Sequence, residues 1–182
     1  YGNIELIVVS NGLKENARSF LHEYSDKRIM VLEYAEKLGL PAALNEGFAK
    51  ATGECLTWTS DDNYYNSDAI AKMSDYLQAN NCHFICADFY LMDEKSEISA
   101  LVKVPDKINL KDLEAVVVGP CFMYTRALKE ETGEYSTEFE LAEDLEYWLR
   151  VSKRYKICHL GSIGQTQLSC ATVCVPTVYN YS

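Results

Sequence analysis

Two adjacent carboxylates, Asp61 and Asp62, follow the apolar, β-prone run of residues 55–59. A run of this kind that stops at charged residues predicts a buried strand followed by an acidic loop. Neighbouring carboxylates repel each other unless a cation lies between them, and a hard oxygen pair accepts Mg²⁺ or Mn²⁺ carrying substrate phosphates. The alternative is a solvated turn before a helix that is capped by Ser67.

A second acidic pair, Glu143 and Asp144, lies in the first turn of a helix predicted over residues 138–155. Acidic residues at a helix start complement the helix dipole, which is the purely structural interpretation of this pair. The apolar stripe that predicts the helix and its inward face consists of Leu141, Leu145, Trp148, Leu149 and Ser152.

Four short motifs around these acidic pairs match one enzyme family. Residues 45–47 read N-x-G, residues 51–54 read A-x-G-E and residues 60–62 read S-D-D. Far downstream, residues 143–150 read E-D-x-x-x-W-x-R. With these motifs in this order, the chain resembles the inverting GT-A glycosyltransferases of family 2.

The resemblance implies an α/β fold of the GT-A type, a Rossmann-like and mainly parallel sheet sandwiched by helices. It implies transfer of a sugar, with inversion, from a UDP-, GDP- or dTDP-sugar to the hydroxyl of a glycan or another acceptor. The pathway would be synthesis of polysaccharide or cell-surface glycan for a bacterial cell envelope. The implied cofactor is Mn²⁺ or Mg²⁺.

The resemblance also implies roles for individual residues. Asp61, aided by Asp62, would bind the metal and the diphosphate. Asp144 would be the general base, because an inverting transfer needs a carboxylate that takes the proton of the acceptor hydroxyl. An Asn-Gly turn explains Asn11 almost as well without a ligand. The residues that would bind the donor or organise its pocket are Ser10, Asn11, Asn45, Asp61 and Glu143.

The sequence departs from the family pattern in three places. The family begins with a strand that ends in a P-x-Y-N-like segment, and we expect that unit to be missing here. Residues 1–160 would then be an N-terminally truncated catalytic domain. Thr59 stands where the family has the first Asp of its D-x-D element. Residues 161–182 form a C-terminal segment that does not align with the family.

Alternating strand and helix patterns predict a doubly wound sheet. The right-handed crossover rule then puts the ends of strands 4–10 and 55–59 on the same side of the molecule. Gly119 and Pro120 interrupt the last central strand, and the alternative there is an edge strand kinked by proline. Strands are predicted over residues 4–10, 29–34, 55–59, 83–92, 98–104 and 116–124, and helices over residues 15–24, 40–51, 67–80 and 138–155.

Length and charge exclude some classes of partner. The 182 residues, 48% of them hydrophobic, suit one domain with a sizeable core. The net charge is −10, from 17 Lys and Arg against 27 Asp and Glu, with no basic block. Because phosphate backbones need clustered basic side chains, we expect no nucleic-acid partner. The sequence leaves open whether the protein forms a homo-oligomer.

Cysteine usage and hydropathy bear on the compartment. The seven cysteines lie mostly in apolar, strand-like runs without a histidine at metal-ligand spacing. This pattern predicts buried thiols in a reducing compartment rather than zinc sites or disulfides. No stretch has the length of a transmembrane helix or the features of a signal peptide. We therefore expect a cytoplasmic protein, with membrane association only through a partner or missing segments.

Two other functions compete with the transferase. The first is a non-catalytic GT-A-like module that binds a nucleotide or a partner chain, which the missing first strand favours. The second is a nucleotidyltransferase on a similar sheet. That class normally shows a Gly-rich basic loop after its first strand, and the part of the pattern that would carry such a loop is missing here.

Overall fold

The computed structural model describes residues 2–11, 15–60, 63–92, 97–105, 118–139, 141–161 and 170–174. Their strands are β1 (Leu6–Asn11), β2 (Ile29–Tyr34), β3 (Cys55–Leu56), β4 (Phe84–Ala87), β5 (Phe89–Met92), β6 (Ile98–Val102), β7 (Phe122–Thr125), β8 (Ile157–Leu160) and β9 (Cys170–Cys174). Their helices are α1 (Glu15–Glu23), α2 (Leu40–Lys50), α3 (Ala69–Ala79), α4 (Arg126–Thr132) and α5 (Glu143–Ser152). None of these helices is long and apolar enough to cross a membrane.

The N-terminal unit is the predicted β–α–β–α alternation. β1 and β2 pair in parallel, and α2 packs on β1. A Cβ atom at Gly47 would lie 3.2 Å from the Val9 side chain, so the bare Gly47 backbone lets helix and strand approach closely. The glycine of the N-x-G motif therefore has a packing role.

The central sheet has the strand order β3–β7–β4–β8. β4 and β8 are parallel, whereas β7 is antiparallel to both β3 and β4. The α/β class with helices flanking the sheets is confirmed, and the sheets are mixed in direction because β7 enters between two strands of the opposite sense. The alternative of an edge strand after Gly119 and Pro120 is wrong, since β7 is an interior strand. Pro120 precedes the ladder and is not required to donate a hydrogen bond to it.

The predicted strand over residues 83–92 is broken at Asp88. β4 lies in the central sheet, while β5 lies in a second sheet of order β6–β5–β9. β9 belongs to the C-terminal segment of residues 161–182, and it pairs in parallel with β5. Residues 106–117, which include the start of the strand predicted over residues 116–124, lie outside the described residues.

The core lies between the central sheet and α5. Trp148 packs edge-on against Phe84 and Phe122, with ring centroids 4.8 Å apart in both pairs. The predicted stripe is wrong in part, because Leu141 is 82% exposed and Leu145 is 39% exposed. Leu141 precedes the helix and has a φ of 67°, so it does not share the helical periodicity. The buried positions of α5 are Glu143, Tyr147, Trp148 and Val151.

Two helix starts differ from the sequence prediction. Ser67 does not cap α3; Asp68 occupies the cap position and makes no capping bond through its side chain. The short helix α4 was not predicted at all. It begins after Thr125, whose hydroxyl accepts a hydrogen bond from the Leu128 amide. The presence of a Ser, Thr or Asp near a predicted helix start therefore does not by itself identify the cap. The cap is set by where the helical backbone begins.

The prediction that the cysteines are thiols is wrong for Cys82, Cys158 and Cys121, which are disulfide-bonded. Cys82 and Cys158 form a disulfide across 76 residues of sequence. They meet because β4, which follows Cys82, is the parallel neighbour of β8. Cys55 and Cys86 are free thiols. Burial raises the pKa of Cys55, so its thiol is protonated at neutral pH.

The turn between α2 and β3 is held from two sides. The Glu5 carboxylate accepts hydrogen bonds from the backbone amides of Thr52 and Gly53, both at 2.6 Å. From the other side, the Arg126 guanidinium donates to the carbonyls of Ala51 and Gly53 at 2.9 and 2.6 Å. Burial alone would raise the pKa of Glu5, but the two amide bonds outweigh it and hold that pKa below its usual value.

We expect Glu5→Gln to lower the free energy of unfolding at pH 7 by about 1 kcal/mol, the worth of a partly exposed charge-assisted bond. Because the folded state has the lower pKa, the Glu5 contribution is present above the unfolded pKa and is lost as the pH falls through the folded one. Urea unfolding over a series of pH values from neutral into the acid range measures this, and the difference between the two proteins should shrink as the pH falls below the usual range of a glutamate pKa. The exposed Glu36→Gln is the control; equal effects of both variants would contradict the role of the turn.

Candidate functional site

The ends of β1, β3, β4 and β8 lie at one edge of the sheets. β3 runs opposite to α2, because Trp58, after the strand, bonds the Tyr135 side chain whose backbone is bonded to Asn45 in the middle of the helix, while Arg126 bonds both Glu54, before the strand, and Ala51, just after the helix. β1 also runs opposite to α2, because Glu5, just before the strand, bonds the turn after the helix, and Val9 near the strand end lies beside Gly47 within the helix. The two strands therefore end on the same side, as the crossover rule predicted. β4 and β8 share the direction of β3 through β7.

The segment after β3 leaves the ladder early and closes back on itself. Thr57 Oγ1 donates to the Phe122 carbonyl at 2.6 Å and also bonds Tyr65 Oη at 3.0 Å. β3 is therefore shorter than predicted. Asp61 and Asp62, between these anchors, lie outside the described residues, and their metal role stays a prediction.

Asn45 fixes one residue of a distant loop. Its Nδ2 donates to the Tyr135 carbonyl and its Oδ1 accepts from the Tyr135 amide, both at 2.9 Å. Tyr135 Oη then accepts from Trp58 Nε1 at 3.0 Å and bonds Tyr124 Oη at 3.2 Å. Sequence reasoning missed Tyr135. The one indication of such a partner was a polar Asn45 among the apolar neighbours of α2.

Glu143 and Asp144 occupy the first turn of α5, as predicted. Tyr147, one turn further on, stacks on Tyr135 with ring centroids 4.1 Å apart. This stack brings the start of α5 to the edge where Trp58 lies. Asp144 Oδ1 accepts the amide of the following residue at 2.6 Å, and its side chain is partly exposed, whereas Glu143 is only 6% exposed.

The tyrosines of this group are scaffold rather than acid or base. Burial raises the pKa of Tyr124 and of Tyr135, and the nearby Asp144 charge adds to the rise for Tyr135. Burial also raises the pKa of Tyr147 to about 12. The three phenols therefore stay neutral at physiological pH and serve as hydrogen-bonding and stacking groups.

The Trp and Arg of the E-D-x-x-x-W-x-R motif anchor its acidic residues. Trp148 is buried against the sheet, as described above. Arg150 donates to the carbonyls of Thr132 and Glu134, both at 2.6 Å, and so holds the chain just before Tyr135. The motif thus contains both the candidate carboxylates and the side chains that hold their helix in place.

Ser10 and Asn11 end β1 at the same edge. Ser10 is 1% exposed, and among the described residues its Oγ has no hydrogen-bond partner. A buried hydroxyl without a partner costs free energy that a polar ligand group can recover. Asn11 is the last residue of the strand. The edge therefore carries Ser10 and Asn11 on one flank and the Asn45–Tyr135–Asp144 group further along.

A cavity of about 480 Å³ opens at the opposite end of the central sheet. Its lining includes Cys55 at the start of β3, His83 before β4 and Thr125 at the end of β7. Because each of these positions lies at the far end of its strand from the segment after β3, this cavity is separate from the candidate site.

The fold is that of the GT-A class of glycosyltransferases. A mannosyltransferase from Pyrobaculum calidifontis, solved with GDP-Man and Mn²⁺, superposes with a TM-score of 0.65 at 18% identity, over 97% of this chain and 49% of its own. The family model described as glycosyl transferase family 2 matches residues 1–133. The chain belongs to glycosyl transferase family 2.

Relatives by sequence agree with this assignment. An uncharacterized glycosyltransferase of Rickettsia typhi is 28% identical over 85% of this chain and 52% of its own length. The UDP-Glc:alpha-D-GlcNAc-diphosphoundecaprenol beta-1,3-glucosyltransferase WfgD of Escherichia coli is 25% identical over 96% of this chain and 65% of its own. The chain spans between 27% and 52% of the length of three Rickettsia relatives that it matches.

We expect Asn45→Asp to lower the free energy of unfolding by about 2 kcal/mol, because a carboxylate oxygen would replace Nδ2 opposite the Tyr135 carbonyl oxygen. Asn80→Asp is the matched control: Asn80 Nδ2 also donates to a carbonyl at 2.9 Å, that of Tyr76, but at an exposed helix end where water can replace it. Denaturant unfolding of both variants is the measurement. Equal losses of unfolding free energy in the two variants would show that the Asn45 contact with Tyr135 stabilises the fold no more than an exposed hydrogen bond does.

Proposed function

We propose that this chain is the catalytic domain of an inverting glycosyltransferase that moves a sugar from a nucleotide-sugar to an acceptor hydroxyl. The observation that carries the proposal is the link through Tyr135. Its Oη bonds Trp58, which leads into the acidic loop, and its ring stacks on Tyr147 of α5. The segment that leads into Asp61 and the first turn of α5, which are far apart in sequence, are thereby held at one edge of the sheets.

Asp144 is the general base of the proposed reaction. It lies in the first turn of a helix whose buried residues fix its position, and its side chain is partly exposed, so an acceptor hydroxyl can reach it. It takes the hydroxyl proton as the oxygen attacks the anomeric carbon, while the nucleoside diphosphate leaves from the opposite face of the sugar. Attack opposite the leaving group inverts the anomeric centre.

Asp61, with Asp62 beside it, holds Mn²⁺ or Mg²⁺ in this proposal. The donor set fits a hard divalent cation, because both carboxylates and the neighbouring Ser60 hydroxyl offer oxygen only. A cation bound there would neutralise the charge of the departing diphosphate.

Four residues serve the nucleotide-sugar. Ser10 and Asn11 lie beside the base and ribose, where the buried Ser10 hydroxyl can bond a polar donor group. Asn45 acts through Tyr135, and Glu143 supports the donor pocket from its buried position in α5. A UDP-, GDP- or dTDP-sugar is the donor; the GDP-Man bound by the Pyrobaculum enzyme and the UDP-Glc in the name of WfgD support this class.

The acceptor class proposed is the hydroxyl of a cell-surface glycan under construction. WfgD is named for a lipid-diphosphate-linked sugar acceptor, which supports a role in bacterial cell-envelope synthesis. We place the reaction on the cytoplasmic side, with any membrane association made through a partner or another segment.

We expect Asp61→Ala to abolish Mn²⁺-dependent binding of the nucleotide and Asp62→Ala to weaken it less, because Asp61 aligns with the family's retained metal position. Titration calorimetry of the purified protein with UDP, GDP and dTDP, each with and without Mn²⁺, is the measurement. Unchanged Mn²⁺-dependent affinity in Asp61→Ala would remove the metal role. The exposed Asp75→Ala on α3 is the control.

We expect Asp144→Asn to keep the fold and nucleotide affinity but to lower turnover by about 10²–10⁴-fold, the usual worth of a general base. Glu143→Gln should cost less, since one position earlier turns the side chain by about 100° around the helix. The measurement is nucleoside diphosphate release from UDP-glucose, UDP-N-acetylglucosamine and GDP-mannose with a panel of p-nitrophenyl glycosides as acceptors. Equal losses at both positions, or a larger one at Glu143, would mean that Asp144 is not the base.

A further inference from the structure

One buried, hydrogen-bonded Asp–His pair lies outside the proposed catalytic groups. Asp88 Oδ1 accepts from His159 Nε2 at 2.7 Å and from the Val104 amide at 2.9 Å. The His159 and Asp88 side chains are only 6% and 10% exposed. Asp88 is the single residue between β4 and β5, and so it lies where the chain passes from the central sheet to the second sheet.

One carboxylate oxygen thus ties three segments together. These are the junction of the two sheets at Asp88, the end of β8 at His159 and the chain that follows β6 at Val104. A buried carboxylate is costly to desolvate, and an apolar side chain would fill the same space at less cost. The pair is therefore better explained by the geometry that it imposes on these segments than by stability alone.

The register of the central sheet places this pair at the edge of the candidate site. Cys86 lies opposite both Phe122 of β7 and His159 of β8, and the Phe122 carbonyl bonds Thr57. Phe122, Cys86 and His159 therefore form one row across the sheet, and the Thr57 hydroxyl bonds the Phe122 backbone in that row. Asp88 lies two residues beyond Cys86 in the direction of β4, which is also the direction of β3, so it lies towards the edge where β3 ends.

The order of groups along this edge assigns a side to each substrate. In the proposed function the nucleoside lies at β1 and the diphosphate at the segment after β3, so the acceptor approaches from the side of β4 and β8. The second sheet also touches the segment that follows Asp62, since Tyr64 Oη donates to Met92 Sδ of β5 at 2.9 Å. A shift of that sheet would change the space beside the loop.

We propose that the Asp88–His159 pair is a positioning element for the acceptor, which fixes the β6–β5–β9 sheet as the acceptor-side wall of the site. This inference rests on the proposed function. The two side chains do not touch the reacting atoms, and they act through the orientation of the sheet that Asp88 joins to the core.

The test separates the acceptor from the donor. In Asp88→Ala we expect the KM for the p-nitrophenyl glycoside that the wild-type protein uses best to rise about tenfold, with the calorimetric Kd for Mn²⁺ and nucleotide unchanged. Asp88→Asn keeps the shape but loses the charge, so a smaller rise of about threefold is expected. Asp75→Ala, exposed on α3, should change neither value.

Each possible result of these measurements either supports the inference or overturns it. A folded Asp88→Ala with wild-type acceptor KM overturns the inference, as does a Kd for nucleotide that weakens by the same factor as the acceptor KM. A purely structural role would lower the amount of active protein and hence kcat, and would leave acceptor KM unchanged. If Asp88→Ala does not fold, Asp88→Asn decides by the same criteria. Failure of the wild-type protein to bind any nucleotide would instead overturn the proposed function.

Discussion

The structure depends on two hydrogen bonds between the Asn45 side chain and the backbone of Tyr135. Asn45 satisfies both the amide and the carbonyl of Tyr135, which lies 90 residues away in sequence. These groups are partly buried, so losing a partner would leave backbone polar atoms unsatisfied, and that loss costs more than the bond itself contributes. With its backbone fixed, Tyr135 can bond Trp58 and stack on Tyr147 in a single orientation. The acidic start of α5 and the end of β3 are then held in a fixed position relative to each other.

The aromatic core keeps this arrangement of α5 and β3 rigid. Trp148 fills the space over Phe84 and Phe122, and Phe48 stacks near Tyr135 at 6.0 Å between ring centroids. Interiors packed in this way transmit strain instead of absorbing it, so a carboxylate on the first turn of α5 has little freedom to drift. The function proposed here requires that rigidity, because a base that is misplaced by about 1 Å can lose about 10² in rate.

The sequence predicted much of the fold, because periodicity is a strong local property. The strand over residues 29–34 and the start of α2 at residue 40 match the structure, and the acidic pair does lie in the first turn of α5. The inward face of α5 was wrong because Leu141 belongs to the preceding loop, and because Tyr147 and Val151 are buried by partners that lie far away in sequence. Family motifs located the candidate carboxylates, but Tyr135, Asp88 and the disulfide depend on tertiary neighbours that no local pattern contains.

The most direct test is a crystal structure of the protein grown with Mn²⁺ and UDP or GDP. The account predicts the cation on Asp61 beside the diphosphate, the base and ribose beside Ser10 and Asn11, and an open approach to Asp144 from the side of β4. The account would be contradicted by a nucleotide in the cavity at the other end of the sheet, lined by Cys55 and His83. A metal–diphosphate far from the segment after β3 would contradict it equally.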